Sequence, residues 1–312
     1  MAFPHYTLII PHYQQPLLLE RLLGTVPVRE DLQVVVVDDG SSAESVTGLE
    51  ILQEKFPTVE FLFLHHNRGG GAARNEGLKM AKGHYVLFAD SDDYFFPEPL
   101  NALLDHYATQ TVADMIFFNA RSINDETGAP SGRADRLNWI MAQSGQEREQ
   151  LLRYQHSEPW CKLIRREVIV QNALHFDETP ILNDVRFSYL AGYYAHRVWV
   201  DDLVCYCVCN RQHSVGKKEM MKAQKKAYTH VMVQANQFFK QQGLPYRYKR
   251  VYRPLVFSLL RWQWKEVRAC AAELYHGGES VLSIMLNVCL YPCWLLRWIF
   301  RKRRYRQARL TP

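Results

Sequence analysis

The chain has 312 residues, 47% of them apolar and 12% aromatic, enough to bury a full domain with an added lobe and too apolar for disorder throughout. Its formal charge is +6, yet seven of the 38 basic residues crowd into positions 297–312 without an acidic neighbour, leaving 31 basic against 32 acidic residues over positions 1–296. A near-neutral body excludes a broad nucleic-acid surface, so the positive charge belongs to the tail. Seven cysteines, an odd number in so long a chain, do not form a secretory disulfide framework. Cys205, Cys207 and Cys209 alternate as on a strand and read as buried thiols. The N-terminus MAFPHYTLII has no basic segment before an apolar core, so it reads as a first strand, and a cytoplasmic compartment is expected.

In chain order, short β-rich runs at Tyr6–Ile10, Gln33–Val37, Val59–Leu64 and Tyr85–Ala89 alternate with helix-compatible periodicity at Leu17–Leu23, Ser42–Phe56 and Gly71–Ala81. Such βαβα order predicts a mostly parallel sheet covered by helices, with Ser41 or Ser42 capping the second helix. A further helix is expected over Pro97–Thr109 and a strand over Met115–Phe118. Ser122–Gly145 is polar and turn-rich and reads as a lobe boundary or substrate-side loop. Pro159–Val170 and Val185–Ala195 have amphipathic helical patterns, and Val198–Cys209 is strand-like.

Two of the strands end in carboxylates. The run Val34–Val37 leads into Asp38-Asp39-Gly40-Ser41-Ser42, which places acidic groups at the sheet edge where ligands commonly bind. One carboxylate there can accept from a base or ribose, or the run is simply an acidic turn and helix cap. The second, Phe88-Ala89-Asp90-Ser91-Asp92-Asp93, concentrates three acidic groups that repel one another unless solvent or a cation neutralises them. A divalent metal bridging the phosphates of a nucleotide sugar would supply that neutralisation, whereas the ligand spacing of an EF-hand is absent. Between the two lies Asn67-Arg68-Gly69-Gly70-Gly71-Ala72-Ala73-Arg74-Asn75-Glu76-Gly77, which lacks both the phosphate-loop ending and the Rossmann glycine spacing. Its Arg74 is suited either to approach phosphates or to brace an acidic residue.

Together with Leu8-Ile9-Ile10-Pro11-His12-Tyr13-Gln14, these runs resemble the family 2 glycosyltransferases and their GT-A fold. The fold so implied is α/β: a Rossmann-related, mostly parallel sheet flanked by helices, with a helical C-terminal extension. The resemblance places Pro11 and Tyr13 at the donor pocket, assigns Asp39 to the base and Asp90 to the donor ribose, and makes Asp92 the leading metal ligand. Asp93 is then an alternate or outer ligand. Gln14, where Asn is common, and Ala89, where a larger apolar residue is common, depart from the pattern without removing a charge.

The resemblance continues through Glu158-Pro159-Trp160-Cys161-Lys162-Leu163-Ile164, His175-Phe176-Asp177 and Leu182-Asn183-Asp184-Val185-Arg186-Phe187. This looks like the acceptor-side segment of polysaccharide-building members, where a carboxylate at a helix start is the general base. That position is Asp184, with Asn183 where a Glu often stands; the alternative is a helix cap. Trp160 presents a face to a sugar or packs in the core, and Lys162 braces the helix or neutralises a carboxylate. His213, in Arg211-Gln212-His213-Ser214, is suited to the metal or to a phosphate.

These assignments divide the chain into a catalytic domain at 1–216, with a donor half at 1–120 and an acceptor half at 121–216, a helical extension at 217–280 and an apolar-basic arm at 281–312. The stretch Val281–Phe300 is interrupted by Asn287, Pro292 and Arg297, which favours an interfacial element over a span. Trp294 and Trp298 would lie near headgroups, and the basic residues beyond would face anionic lipid. The expected activity is inverting transfer from a nucleotide sugar, UDP-linked by resemblance, with Mg2+ or Mn2+, to a saccharide or lipid-linked oligosaccharide at the cytoplasmic membrane face. Competing readings are a metal-dependent nucleotidyltransferase, disfavoured by the Asp184 segment and the missing phosphate loop, and a noncatalytic carbohydrate-binding protein or scaffold.

Overall fold

In the computed structural model the described residues are 4–109, 113–211, 222–245 and 248–293. By its contacts the chain divides into two units, one of residues 1–178 and 186–214, the other of residues 179–185 and 215–312.

The first unit is built on an eight-stranded sheet of strands β1 (Tyr6–His12), β2 (Leu32–Asp38), β3 (Val59–Phe63), β4 (Tyr85–Phe88), β5 (Tyr94–Phe95), β6 (Met115–Asn124), β7 (Lys162–Arg165) and β8 (Val198–Asn210), in the order β3-β2-β1-β4-β7-β6-β8-β5. The block β3-β2-β1-β4 is parallel throughout, as the alternating pattern predicts, and β6 and β8 are also parallel. Its connections are the helices α1 (Pro16–Leu23), α2 (Ala43–Lys55) and α3 (Gly70–Met80), and α4 (Pro97–Ala108) follows β5. Because helices cover both faces of such a block, its inner strands are largely buried, and every residue of β2 is; β3, at the edge, is half-buried. Ser42 caps α2 by accepting from the Ser45 amide. The small residues of α3 let it lie directly on β1: a Cβ on Gly77 would come within 2.5 Å of Ile9 Cγ2.

Two expectations are corrected. Pro159–Val170 is not one helix: Lys162–Arg165 forms β7, antiparallel to both β4 and β6, and only Arg166–Gln171 (α7) is helical. The segment 122–145 is more ordered than its polarity suggests, because β6 continues to Asn124, Ile123 bridges Pro130, and Asp135–Met141 forms α5. Helices α6 (Gly145–Gln155) and α8 (Val185–Tyr194) complete this part of the chain.

In the second unit α9 (Lys222–Gln241), a 3-10 turn (Lys249–Tyr252), α10 (Arg253–Leu260) and α11 (Trp264–His276) pack around buried Val231, Phe239, Val251 and Leu274. The Asn236 side chain accepts from the Tyr248 amide at 2.6 Å, tying α9 to the turn. Residues 281–293 are helical. Among the described residues no helix is long and apolar enough to cross a membrane.

Candidate functional site

The chain runs from β1 to β2 and β3 on one side and then returns to place β4 on the other side of β1. This reversal leaves a crevice beyond the C-terminal ends of β1 and β4, the place where open α/β sheets bind ligands. Both acidic runs lie at that edge.

Asp38, the last residue of β2, is locked: its carboxylate meets His12 Nδ1 at 2.8 Å and accepts from the Ser41 amide at 2.9 Å. Burial pushes the carboxyl upward, but the hydrogen bonds from His12 and Ser41 outweigh it and hold the group below its ordinary range. Asp39 accepts from two backbone amides, Arg68 at 2.8 Å on Oδ1 and Gly69 at 2.7 Å on Oδ2. Gly40 has φ +69°, and a Cβ there would meet the His66 carbonyl carbon at 2.4 Å, so glycine permits the 66–69 loop to close on the strand end. Pro11 lies in β1, and Tyr13, just beyond it, is exposed.

From α3, Arg74 reaches Asp90 at 2.6 Å, with its guanidinium also over the Phe176 ring at 5.5 Å. Of the two roles left open for Arg74, bracing a carboxylate is the one observed. Asn75 exchanges two hydrogen bonds with the Phe176 backbone, at 2.8 and 3.0 Å, and Arg68 holds Glu178 at 3.0 Å. The 175–178 segment is therefore bolted to α3, a link between positions 101 residues apart that local sequence does not reveal.

Ligating atoms of Asp90, Asp92 and Asp93 lie within 4.8 Å of one another. The cluster is held from behind by β8. Tyr206 accepts from the Asp90 amide at 2.9 Å and donates to Asp93 Oδ2 at 2.8 Å, while the Cys209 amide donates to Asp93 Oδ1 at 2.7 Å. Two arginines flank Asp92: Arg21 donates to its carbonyl and to Asp125, and Arg211 pairs with its Oδ2 and reaches Gln15 at 2.7 Å. Burial, followed by the charge of Asp90, pushes Asp92 above its ordinary value, with Arg211 opposing. Burial and then the charges of Asp90 and Asp92 push Asp93 well above its own. With Asp125, four carboxylates face three arginines (Arg21, Arg74 and Arg211), and oxygen-only donors suit a hard divalent cation, so the residues present fit Mg2+ or Mn2+. Asp93 has both oxygens engaged by the protein. Asp90 Oδ2 and Asp92 Oδ1 accept no hydrogen bond among the described residues.

Arg21, Arg211 and Tyr206 escape a reading by motif because each joins the cluster across a long stretch of sequence. Tyr206 carries one faint signal, a phenol flanked on its strand by the thiols of Cys205 and Cys207, both buried like it. All three cysteines of that strand, like the other four in the chain, are free thiols.

Trp160 is only 2% exposed and stacks on Tyr206 at 5.8 Å, so it packs in the core rather than offering a face to a sugar. Lys162 is buried and donates to the carbonyls of His156 and Glu158 and to Ser188 Oγ, a structural brace. Asn183 and Asp184 form a partly exposed turn immediately before α8, within the 179–185 stretch that groups with the second unit. His213, Trp294 and Trp298 lie outside the described residues.

A model of the family described as Glycosyl transferase family 2 matches residues 7–171. A poly(ribitol-phosphate) beta-glucosyltransferase of Bacillus spizizenii is 33% identical over 139 residues, covering 42% of this chain and 21% of that protein. The uncharacterized glycosyltransferase YibD of Escherichia coli is 28% identical over 201 residues, covering 61% of this chain and 58% of its own. The matches therefore span between about a fifth and three fifths of these curated relatives. Among solved structures, Staphylococcus aureus TarS 1–349 in complex with UDP-GlcNAc superposes with a TM-score of 0.58 at 20% identity, covering 88% of this chain and 93% of that one. The mannosyltransferase PcManGT of Pyrobaculum calidifontis, in complex with GDP-Man and Mn2+, gives 0.53 at 17% identity, covering 100% of this chain and 87% of that one. At these identities the likeness is one of fold.

Proposed function

The chain belongs to glycosyl transferase family 2, and from that premise we propose that it transfers a sugar from a nucleotide-sugar donor to a saccharide hydroxyl in surface-polymer synthesis. The observation that carries the proposal is the cluster of Asp90, Asp92 and Asp93 at the switch point of the sheet, held from behind by Tyr206 and the Cys209 amide. Gathering these charges is costly to the fold, since burial and the charge of Asp90 raise the proton affinity of both Asp92 and Asp93.

In this reading Asp90 and Asp92 hold a divalent cation with their unengaged oxygens, and Asp93 fixes the turn that aims them. A cation held there would supply positive charge to offset that of the departing nucleoside diphosphate. Asp39, Pro11 and Tyr13 form the nucleotide end, and Asp90 also approaches the donor ribose. UDP is the assigned carrier, supported by the TarS complexes with UDP and UDP-GlcNAc. Asp184 takes the proton from the acceptor hydroxyl as its oxygen attacks the anomeric carbon, and the nucleoside diphosphate leaves from the opposite face, so the configuration inverts in one displacement. Asn183 lies beside it toward the acceptor. Relatives that act on poly(ribitol-phosphate) and on an undecaprenol-linked glycan support a polymeric or lipid-linked acceptor.

Attachment at the cytoplasmic face of a membrane through the arm at 281–312 completes the proposal. In its helical part, Val281, Leu282, Met285, Leu286 and Leu290 are exposed, and the basic tail follows in sequence. The test is a panel of nucleotide sugars with Mg2+ or Mn2+ and candidate acceptors, read by nucleotide release and product mass. Asp92→Asn is expected to lose metal-dependent donor engagement, and Asp184→Asn to lose transfer while still binding donor. Normal transfer by both variants would overturn the assignment.

A further inference from the structure

The loop joining α10 to α11 has a cap that its sequence does not favour. The Trp262 amide donates to the Leu259 carbonyl at 3.1 Å and the Gln263 amide to the Ser258 carbonyl at 3.0 Å. This pair of bonds is a Schellman motif, with Trp262 at the left-handed position that glycine ordinarily fills, at φ 56°. A bulky side chain is strained there, and this one does not recover the cost by packing: Trp262 is 76% exposed. Trp264, one residue into the next turn, is 55% exposed, and the two rings meet edge to face at 5.9 Å. Leu260 and Phe257, three residues apart on α10 and so on one side of it, are exposed as well.

The charges around these residues have one sign. Arg253, Arg261, Lys265 and Arg268 are exposed, with the Arg253 guanidinium 5.6 Å from the Phe257 ring. The one acidic residue of positions 253–268, Glu266, is partly buried and accepts from Ser258 at 3.3 Å. Indole rings and aliphatic side chains fringed by arginine and lysine match the boundary between acyl chains and anionic headgroups. A symmetric contact with a second copy fits poorly, because it would set these cations against their own equivalents.

We propose that the α10–α11 turn is a bilayer-inserting wedge, with Trp262 and Trp264 entering the interface of an anionic membrane and the four basic residues on its headgroups. The membrane as partner rests on the attachment reading above, but the contact is a different one, made without residues 281–312. It gives the helical unit a second point of attachment beside the arm.

Flotation of the 312-residue chain with vesicles of phosphatidylcholine and phosphatidylglycerol, or of phosphatidylcholine alone, tests this. Trp262→Gly combined with Trp264→Ser is expected to weaken partitioning to the anionic vesicles about tenfold. Trp262→Gly alone, which restores the residue the cap favours, is expected to weaken it while leaving the melting temperature unchanged or about 2 °C higher. Unaltered partitioning of both, beside a loss in Leu282→Gln combined with Leu286→Gln, overturns the wedge and leaves the arm as the anchor. No partitioning of the wild-type chain overturns both. A lower melting temperature in Trp262→Gly, or a wild-type dimer that this variant dissociates, likewise overturns the wedge.

Discussion

The two edges of the sheet use the same residue type to opposite ends. At the N-terminal edge of the parallel strands, Asp114 is buried just before β6. It accepts from the amides of His196 and Arg197 at 3.0 and 2.9 Å, with the Arg165 guanidinium at 3.5 Å. Burial pushes its carboxyl up, but the two amides and the adjacent arginine charges outweigh that and hold it below the ordinary range. At the C-terminal edge, Asp92 and Asp93 are also withdrawn from water, and there neighbouring carboxylates add to burial, so both shift upward. A carboxylate with its own cation and amides maintains the fold. Carboxylates gathered without enough cations of their own are costly to the fold, which is the situation a divalent cation would relieve.

Substitutions can break that contrast. The largest effect is expected from Asp92→Asn, which should lower metal-dependent turnover by about 10²–10³-fold while leaving the melting temperature of the metal-free chain unchanged or higher, since a repelling charge is removed. Loss of stability in parallel with activity would make Asp92 a structural residue like Asp114. Asp114→Ala is expected to do the converse: about 3 kcal/mol of stability lost by denaturant unfolding, because buried amides and an arginine lose their acceptor, with nucleotide affinity retained by the folded fraction. Because its folded pKa is lowered, the Asp114 contribution is complete above the unfolded carboxyl value and is lost as pH falls through the folded one. The acid limb of the wild-type stability curve should therefore be steeper than that of Asp114→Ala.

Smaller effects sharpen the picture of how the C-terminal edge is built. Gly40→Ala should cost about 2–3 kcal/mol, from left-handed strain and the clash with the 66–69 loop, and should weaken nucleotide binding because the Asp39 loop is displaced. Tyr206→Phe removes one hydroxyl that serves both Asp90 and Asp93, and is expected to cost about 1–2 kcal/mol with a modest loss of metal affinity. Unchanged metal affinity there would mean that the carboxylates are aimed without help from β8.

The parallel half of the fold is legible in sequence because buried strands such as Val34–Val37 are continuous apolar runs punctuated by turn residues. The misreading at 159–170 has a definite cause. Trp160, Leu163, Ile164 and Val168 fall at helical spacing, yet Cys161 turns the chain at φ 61° and β7 is buried on both faces between β4 and β6, a situation in which periodicity does not separate strand from helix. The acidic runs stand out because like charges are costly to gather without purpose. Their supports do not, since Arg21, Arg211, Tyr206 and the Asn75–Phe176 pair meet only after the sheet has formed. Trp160 shows the converse, since sequence left it open between a sugar face and the core, and its packing against Tyr206 places it in the core.

The central claim, that the carboxylate cluster holds a divalent cation for the donor diphosphate, is tested most directly by calorimetric titration of UDP into the wild-type chain and Asp92→Asn, each with Mn2+ and with a chelator. The account predicts that chelation weakens UDP binding to the wild type by at least about tenfold and that Asp92→Asn binds at the weaker level in both conditions. Equal affinity of the wild-type chain for UDP with and without Mn2+ would contradict it.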